Sequence, residues 1–434
     1  MSKFRFARTS LIAAVLGLNL APALLATVNA AEKTAPAPEA PKPDTVRPEL
    51  FKLLDPTQIK DLMTAKNYAE VQNRINQGDA LADKTVYENF VLNRLRVSLG
   101  SATNNNPMTI AGLEAVLASG KLSPADQGDF IQALGNLYYN TKDYPKAIAT
   151  FNKYAELTGD SAKLRPYIVR SYYFNNDFAT AKTELLKDLD ANTKAGKVPP
   201  IEELQLLANT GAKSKDTATY LIAIEKLVQY YPSDDYWIDL LSRTQGKSTY
   251  STRFALDVYR LEKKVVSKMA PEDYTEMAEL ALLAGQPIEA KKTMDAGYAA
   301  GVLGTGPSAD KHKKIKAQAD KQAADDTKNI ATGEASAKKS KDGTGLVNLG
   351  YAYVTLEQFD KGIELIKEGI AKGGLKNAED AKLRLGYSYA MAGKKDEAIK
   401  VLDTVQGADG RADLARFWTL WLNRPATGAA AAAK

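Results

Sequence analysis

A 34-residue offset runs through the middle of this chain. Tyr138 and Tyr172 stand 34 residues apart, as do Tyr144 and Phe178, Ala147 and Ala181, and Phe151 and Leu185. A period of that length in aromatic and small residues marks a helix-turn-helix unit. Such a unit cannot bury its apolar face alone. It stacks on neighbours, and the stack leaves a long groove on its inner side. The offset therefore predicts an all-α fold, an α-solenoid of stacked helix pairs.

The clearest unit spans residues 128–161. Ser123 before it reads as an N-cap, with Pro124 at the first helical position. The first helix carries Leu134, Gly135 and Tyr138, and residues Asn140 to Asp143 make the turn. The second helix carries Tyr144, Ala147 and Phe151, and Gly159 closes it. Small residues at Gly135 and Ala147 let two helices approach, while the aromatic rings fill the space around them.

Residues 162–195 repeat the scheme with Tyr172, Phe178, Ala181 and Leu185. Near the C-terminus one unit shows Leu349, Gly350, Tyr353, Phe359, Gly362 and Ile366. The next shows Leu385, Gly386, Tyr389, Ala398 and Leu402, with Gly350 and Gly386 36 residues apart. A weaker unit covers 271–304, through Tyr274, Ala278, Ala281, Ala290 and Met294. Degenerate helical pairs are expected at 49–78, 86–120 and 199–231.

On these residues the chain resembles the tetratricopeptide repeat family. It departs from the family pattern where the proline that closes each repeat is mostly missing, and where Lys395 replaces the turn aromatic. The stretch Leu227–Arg243 is similar to segments of exported tetratricopeptide-repeat proteins of Gram-negative bacteria. The resemblance implies a right-handed solenoid in two blocks, 49–304 and 343–424, and a non-catalytic scaffold or adaptor for protein or peptide partners. In such stacks the inner face comes from the first helix of each pair. Here that implies a partner-binding groove of Gln132, Asn136, Tyr139, Asn140, Arg170, Tyr173 and Phe174. These side chains combine apolar area with donors and acceptors, which suits an extended peptide. Gln132 and Arg170 occupy positions where a carboxylate clamp of the family would want Lys and Asn, so such a clamp is not expected. The rival readings are a structural subunit of a larger envelope assembly (secretion, transport-energising or outer-membrane biogenesis machinery) and a cell-wall or glycan-associated factor.

The N-terminus has the three parts of a secretory signal. Lys3, Arg5 and Arg8 precede an apolar run from Leu11 to Leu25, and Val28-Asn29-Ala30 offers a cleavage site after Ala30. The expected product is periplasmic, with secretion as the lesser alternative. Lys and Arg total 58 against 52 acids. Removing residues 1–30 leaves 55 against 52, so half of the +6 charge belongs to targeting and supports no nucleic-acid role. Residues 31–48 hold five prolines and form an extended spacer, 305–342 read as an exposed charged helix followed by a flexible joint, and 425–434 are an alanine-rich tail. Leu414, Phe417, Trp418 and Trp421 fall on one face of a helix suited to cap the last repeat.

No catalytic, cofactor or metal constellation emerges. Cysteine is absent, and His312, the only histidine, sits among Lys311, Lys313 and Lys314. The glycine-rich stretch Gly301–Gly306 has Pro307 where a phosphate loop needs lysine, and reads as a helix-end loop. Asp234 and Asp235 follow Ser233 at a helix start, where carboxylates favour the dipole. Asp325 and Asp326 read as a solvated pair.

Overall fold

A computed structural model describes residues 44–424, and all regular structure among them is helical. The expected signal segment, residues 31–43 of the spacer and the C-terminal tail lie outside the described residues. The chain divides into two compact units, with the boundary between Glu184 and Leu185. The first unit holds α1 (Pro48–Leu53), α2 (Pro56–Thr64), α3 (Tyr68–Asp79), α4 (Val86–Ala102), α5 (Asn106–Ala118), α6 (Pro124–Asn140), α7 (Tyr144–Thr158) and α8 (Arg165–Phe174). The boundary falls inside α9 (Phe178–Lys194). The second unit continues with α10 (Ile201–Lys213), α11 (Thr217–Tyr230), α12 (Asp234–Gln245), a 3-10 turn (Thr252–Phe254) and α13 (Ala255–Val265). Then follow α14 (Pro271–Leu283), α15 (Pro287–Ala299), α16 (Ala309–Lys339), α17 (Thr344–Thr355) and α18 (Phe359–Lys372). The unit ends with α19 (Ala378–Met391), α20 (Lys395–Leu402) and α21 (Arg411–Leu422).

One turn recurs in both units and defines the helix pairs. Lys66, Asn104, Lys142, Asn176, Lys215, Gly285, Glu357 and Gly393 all take left-handed φ angles between 56° and 73°. The residues that follow them are Asn67, Asn105, Asp143, Asp177, Asp216, Gln286, Gln358 and Lys394. Each donates its N–H to the carbonyl five residues back, at 2.8–3.0 Å. This closure satisfies the last carbonyls of the first helix and reverses the chain within a few residues. In five pairs the second residue also caps the next helix. The side chains of Asn67, Asn105, Asp143, Asp177 and Asp216 accept from the backbone N–H three residues on. Each such cap is worth about 1 kcal/mol.

Packing within a pair follows from residue size. Ala147 and Phe151 are completely buried, and a Cβ on Gly135 would stand 2.6 Å from the Phe151 ring. Between α17 and α18 the approach is backbone to backbone. A Cβ on Gly350 would lie 2.6 Å from the Gly362 carbonyl oxygen, and one on Gly362 would lie 2.6 Å from that of Gly350. The first unit has one continuous core, from Val46 and Leu50 through Phe90, Leu113 and Phe130 to Leu164. At its N-terminal end Glu88 is 2 % exposed and accepts from Arg47 and from the Thr85 N–H, completing a capping box on α4.

Residues 305–342 differ from the expected exposed helix and flexible joint. Most of them form α16, an unbroken helix of 31 residues. His312, Ile315, Ala319, Ala323 and Ala337 are buried along it. A face of alanines contributes little hydrophobic area but lets neighbouring helices come close, so a search for large apolar residues passes over it. The loop before α16 is fastened by His312, whose Nδ1 accepts from the Gly304 N–H at 3.1 Å. Gly301–Gly306 is thus part of a helix connection, with Gly301, Gly304 and Gly306 at positive φ.

The last helix does more than cap. Leu414, Phe417 and Trp418 are buried, and Trp418 meets Tyr387 and Trp421 edge-on at 5.2 and 5.5 Å. The same helix reaches back to much earlier parts of its own unit. Arg416 bonds Glu225 on α11, Lys247 bonds Asp413 at 2.7 Å, and the Ser251 N–H donates to the Asp409 carbonyl at 2.9 Å.

Candidate partner-binding groove

The inner-face residues sit on two first helices of the first unit. Gln132, Asn136, Tyr139 and Asn140 lie on α6, and Arg170, Tyr173 and Phe174 on α8. The α6 set falls at i, i+4, i+7 and i+8, one stripe of a helix. Asn140 and Phe174 are exposed, and the other five are partly exposed.

The aromatic members form a connected cluster. Tyr139 meets Tyr167 at 5.5 Å and Phe174 at 6.3 Å, both edge-on. Tyr173 lies 5.4 Å from Phe174 and 5.6 Å from Phe178. Tyr144 stacks on Phe174 at 5.5 Å and meets Tyr139 at 5.9 Å. The cluster is therefore held from below by Tyr144, Tyr167 and Phe178, while Phe174 remains 47 % exposed. Burial raises the Tyr139 hydroxyl above its ordinary range, with the nearby Arg170 charge pulling the other way. No ion pair engages Arg170 among the described residues.

Tyr144 and Tyr167 were not among the expected groove residues. Tyr144 reads in sequence as a filler between paired helices, and it is that as well. Tyr167 follows Pro166, the position that corresponds to Gln132 one repeat earlier, so the repeat pattern alone carries no polar or aromatic signal there.

Most of the corresponding positions of the C-terminal pair are buried, while Tyr387, Thr355 and Met391 are partly exposed. Gly135 matches Gly350 and Gly386, so Asn136 matches Tyr351 and Tyr387, Gln132 matches Val347 and Leu383, and Tyr139 matches Val354 and Ala390. Val347, Leu383, Val354, Ala390 and Tyr351 are all buried. Two versions of one face thus exist in the chain: a half-open aromatic and polar one, and a more deeply buried one that carries Tyr351 and Tyr387.

Asp234 accepts from the Ser267 N–H at 2.9 Å and from its hydroxyl, which fixes the α13–α14 connection. Among the described residues no group of three or more His, Asp or Glu is placed to hold a metal. No helix among them is long and apolar enough to cross a membrane.

Paired helices, one repeated turn and an accessible inner face define a helical-repeat scaffold. Family models described as "Tetratricopeptide repeat" match residues 129–161 and 347–413. The chain carries tetratricopeptide repeats in those two segments, within an all-helical α-solenoid fold. No curated protein matches it in sequence. Among solved structures it is similar to the TPR2AB-domain:pHSP90-complex of yeast Sti1. That likeness has 15% identity, covers 69% of this chain and 98% of that one, and has a TM-score of 0.24. It is similar to the TPR domain of P58(IPK) at 14% identity, 86% and 97% coverage, and a TM-score of 0.22. It is also similar to Naa15/Naa10 bound to HypK-THB at 11% identity, 83% and 69% coverage, and a TM-score of 0.25.

Proposed function

We propose that this protein is an exported, non-catalytic scaffold that holds a protein or peptide partner of the cell envelope on the inner face formed by α6 and α8. The observation that carries this reading is the contrast between equivalent positions. Asn136, Arg170, Tyr139 and Tyr173 are partly exposed, whereas of their counterparts Tyr351, Val354 and Ala390 are buried within their own unit and only Tyr387 is partly exposed. Exposed aromatic area beside an arginine is the composition of strongly binding interface centres. Periplasmic export is supported by the basic, apolar and small-residue parts of residues 1–30.

Photocrosslinkers placed at Asn140 and at Lys153 on α7 test the binding face in intact cells. Adducts are expected at Asn140 and not at Lys153, and should disappear when Tyr139→Ala and Tyr173→Ala are combined. Adducts that survive the double substitution, or that form at Lys153 alone, favour a structural subunit gripped elsewhere. For location, osmotic shock should release a chain shortened by its first 30 residues. Recovery of the uncleaved chain from the cytoplasm would overturn that part.

A further inference from the structure

The more deeply buried face of the C-terminal pair has an identifiable occupant within its own unit. Arg260 on α13 is 6 % exposed. Its guanidinium carbon sits 4.7 Å from the centre of the Tyr351 ring and 6.0 Å from that of Tyr387. Both tyrosines occupy the position that Asn136 and Arg170 hold on the open face. The same guanidinium bonds Glu289 through Nε at 2.8 Å and Nη2 at 2.6 Å, and Asp257 through Nη1 at 2.6 Å. The Tyr351 hydroxyl in turn donates to Glu289 at 3.4 Å. An arginine stacked on aromatic rings and forked to a carboxylate is how one chain recognises another. Here both sides belong to one chain: the rings come from α17 and α19, and the carboxylate is Glu289 of α15.

Arg253 ties the N-terminal end of α13 to residues 380 and 409, and further ion pairs of differing exposure hold α21, which packs against α13. Arg253, just before α13, bonds Asp380 at 3.3 Å and Asp409 at 2.8 Å. Arg411 bonds Asp409 as well, Lys247 holds Asp413, and Arg416 grips Glu225. The side chains of Arg416 and Arg253 are 45 % and 39 % exposed, so salt screens their contacts, while the more covered Lys247–Asp413 and Arg411–Asp409 pairs are screened less. The anchor at Arg260 is buried and far less screened. The arrangement has two parts: a buried plug and an outer latch sensitive to ionic strength.

We propose that α13 is an internal ligand for the inner face of residues 343–424, and that the α21 ion pairs keep it seated. In the resting protein this second inner face is shut to partners. A partner able to displace α13 would present a short amphipathic helix with an arginine projecting from its apolar side, because that is the shape and charge the face already accommodates. Opening would require the latch to be released first.

The test uses the full chain and a fluorescein-labelled peptide of residues 251–266 as the probe. Wild type should take up little peptide at low salt, and uptake should rise as sodium chloride is added. Arg416→Glu combined with Lys247→Glu should bind the peptide about tenfold or more tightly than wild type. The exchanged pair Glu225→Arg with Arg416→Glu should return binding towards the wild-type level. A peptide carrying Arg260→Ala should not bind to any form. The salt series on unaltered protein keeps the test valid if the variants fold poorly. Uptake that ignores salt, equal binding to wild type and latch variant, or undiminished binding of the arginine-less peptide would each overturn the proposal.

Discussion

Arg416 and Glu225 lie 191 residues apart in sequence and are joined by two parallel bonds of 2.8 and 2.7 Å. The fork fixes the orientation of the last helix against α11, while the apolar side of that helix supplies most of the energy. These two contributions differ in size. Trp418→Ala should cost about 3–5 kcal/mol, the usual loss for a large buried aromatic. Arg416→Ala, at a half-exposed pair, should cost less than about 1 kcal/mol. Urea titrations followed by circular dichroism would separate the two. Deleting residues 411–434 should lower the melting temperature further than either substitution and promote aggregation. An unchanged melting curve for the truncated chain would contradict the structural role of α21.

Glu88 predicts an acid-sensitive first unit. Burial alone would raise its carboxyl, but bonds from Arg47 and the backbone N–H groups of Arg47 and Thr85 outweigh that and hold it at about 2. A carboxyl held below its unfolded value of 4.5 stabilises the fold at neutral pH. That contribution, on the order of 2–3 kcal/mol, is lost as pH falls from about 4.5 to about 2. Glu88→Gln should therefore be less stable than wild type at pH 7 and converge with it in strong acid. Parallel acid-unfolding curves for the two proteins would refute the assignment.

Glu262 on α13 predicts the opposite trend in the second unit. Burial, helped by the like charge of Asp273, lifts its carboxyl from 4.5 to about 7. The folded form then holds a proton that the unfolded chain has released, so its stability is greatest below about pH 4.5 and declines towards pH 7. Glu262→Gln should flatten this slope and raise stability at pH 8 by about 1–2 kcal/mol, allowing for partial solvent screening. Melting temperatures of both proteins between pH 5 and 8 measure it.

The contact between α17 and α18 leaves no space for a methyl group. Gly362→Ala would push its Cβ against the Gly350 carbonyl and the Val354 side chain. Overpacking of this kind costs about 1–3 kcal/mol, near the top of that range where backbone is struck. Gly159→Ala is a useful comparison. Nothing lies within reach of a Cβ there, but the residue holds a positive φ of 72°, so its cost is conformational. Chemical denaturation of the two variants should show Gly362→Ala as the more damaging. The reverse order would refute the close-packing account.

The paired helices were legible in the sequence because aromatic and small residues recur around Gly135, Gly350 and Gly386. The strict period was not, because it depends on connections outside the pairs. Asn105 to Asp143 spans 38 residues, Asp143 to Asp177 spans 34, and Asp177 to Asp216 spans 39, although the turn at each is the same. Between residues 66 and 216 a Lys or Asn followed by Asn or Asp at the turn was therefore the steadier signal. The α16 segment reads in sequence as a shorter exposed helix running into a joint, because a buried alanine face resembles a solvated lysine-rich stretch in composition. The aromatic groove residues could be proposed from repeat position. Tyr167 and the plug at Arg260 could not, since each depends on neighbours brought in by the fold rather than by spacing.

The long reach of α21 also orders events during synthesis. A chain made from its N-terminus can complete the core of the first unit from residues already present, because its contacts are local. The second unit lacks Arg416, Trp418 and Phe417 until α21 itself has been made, and so cannot close before then. Contacts of such wide sequence separation form slowly. For that interval the nascent chain displays Tyr351, Tyr387 and the arginine of α13 without their final cover, which makes this half of the protein the part most dependent on chaperones and most open to proteases.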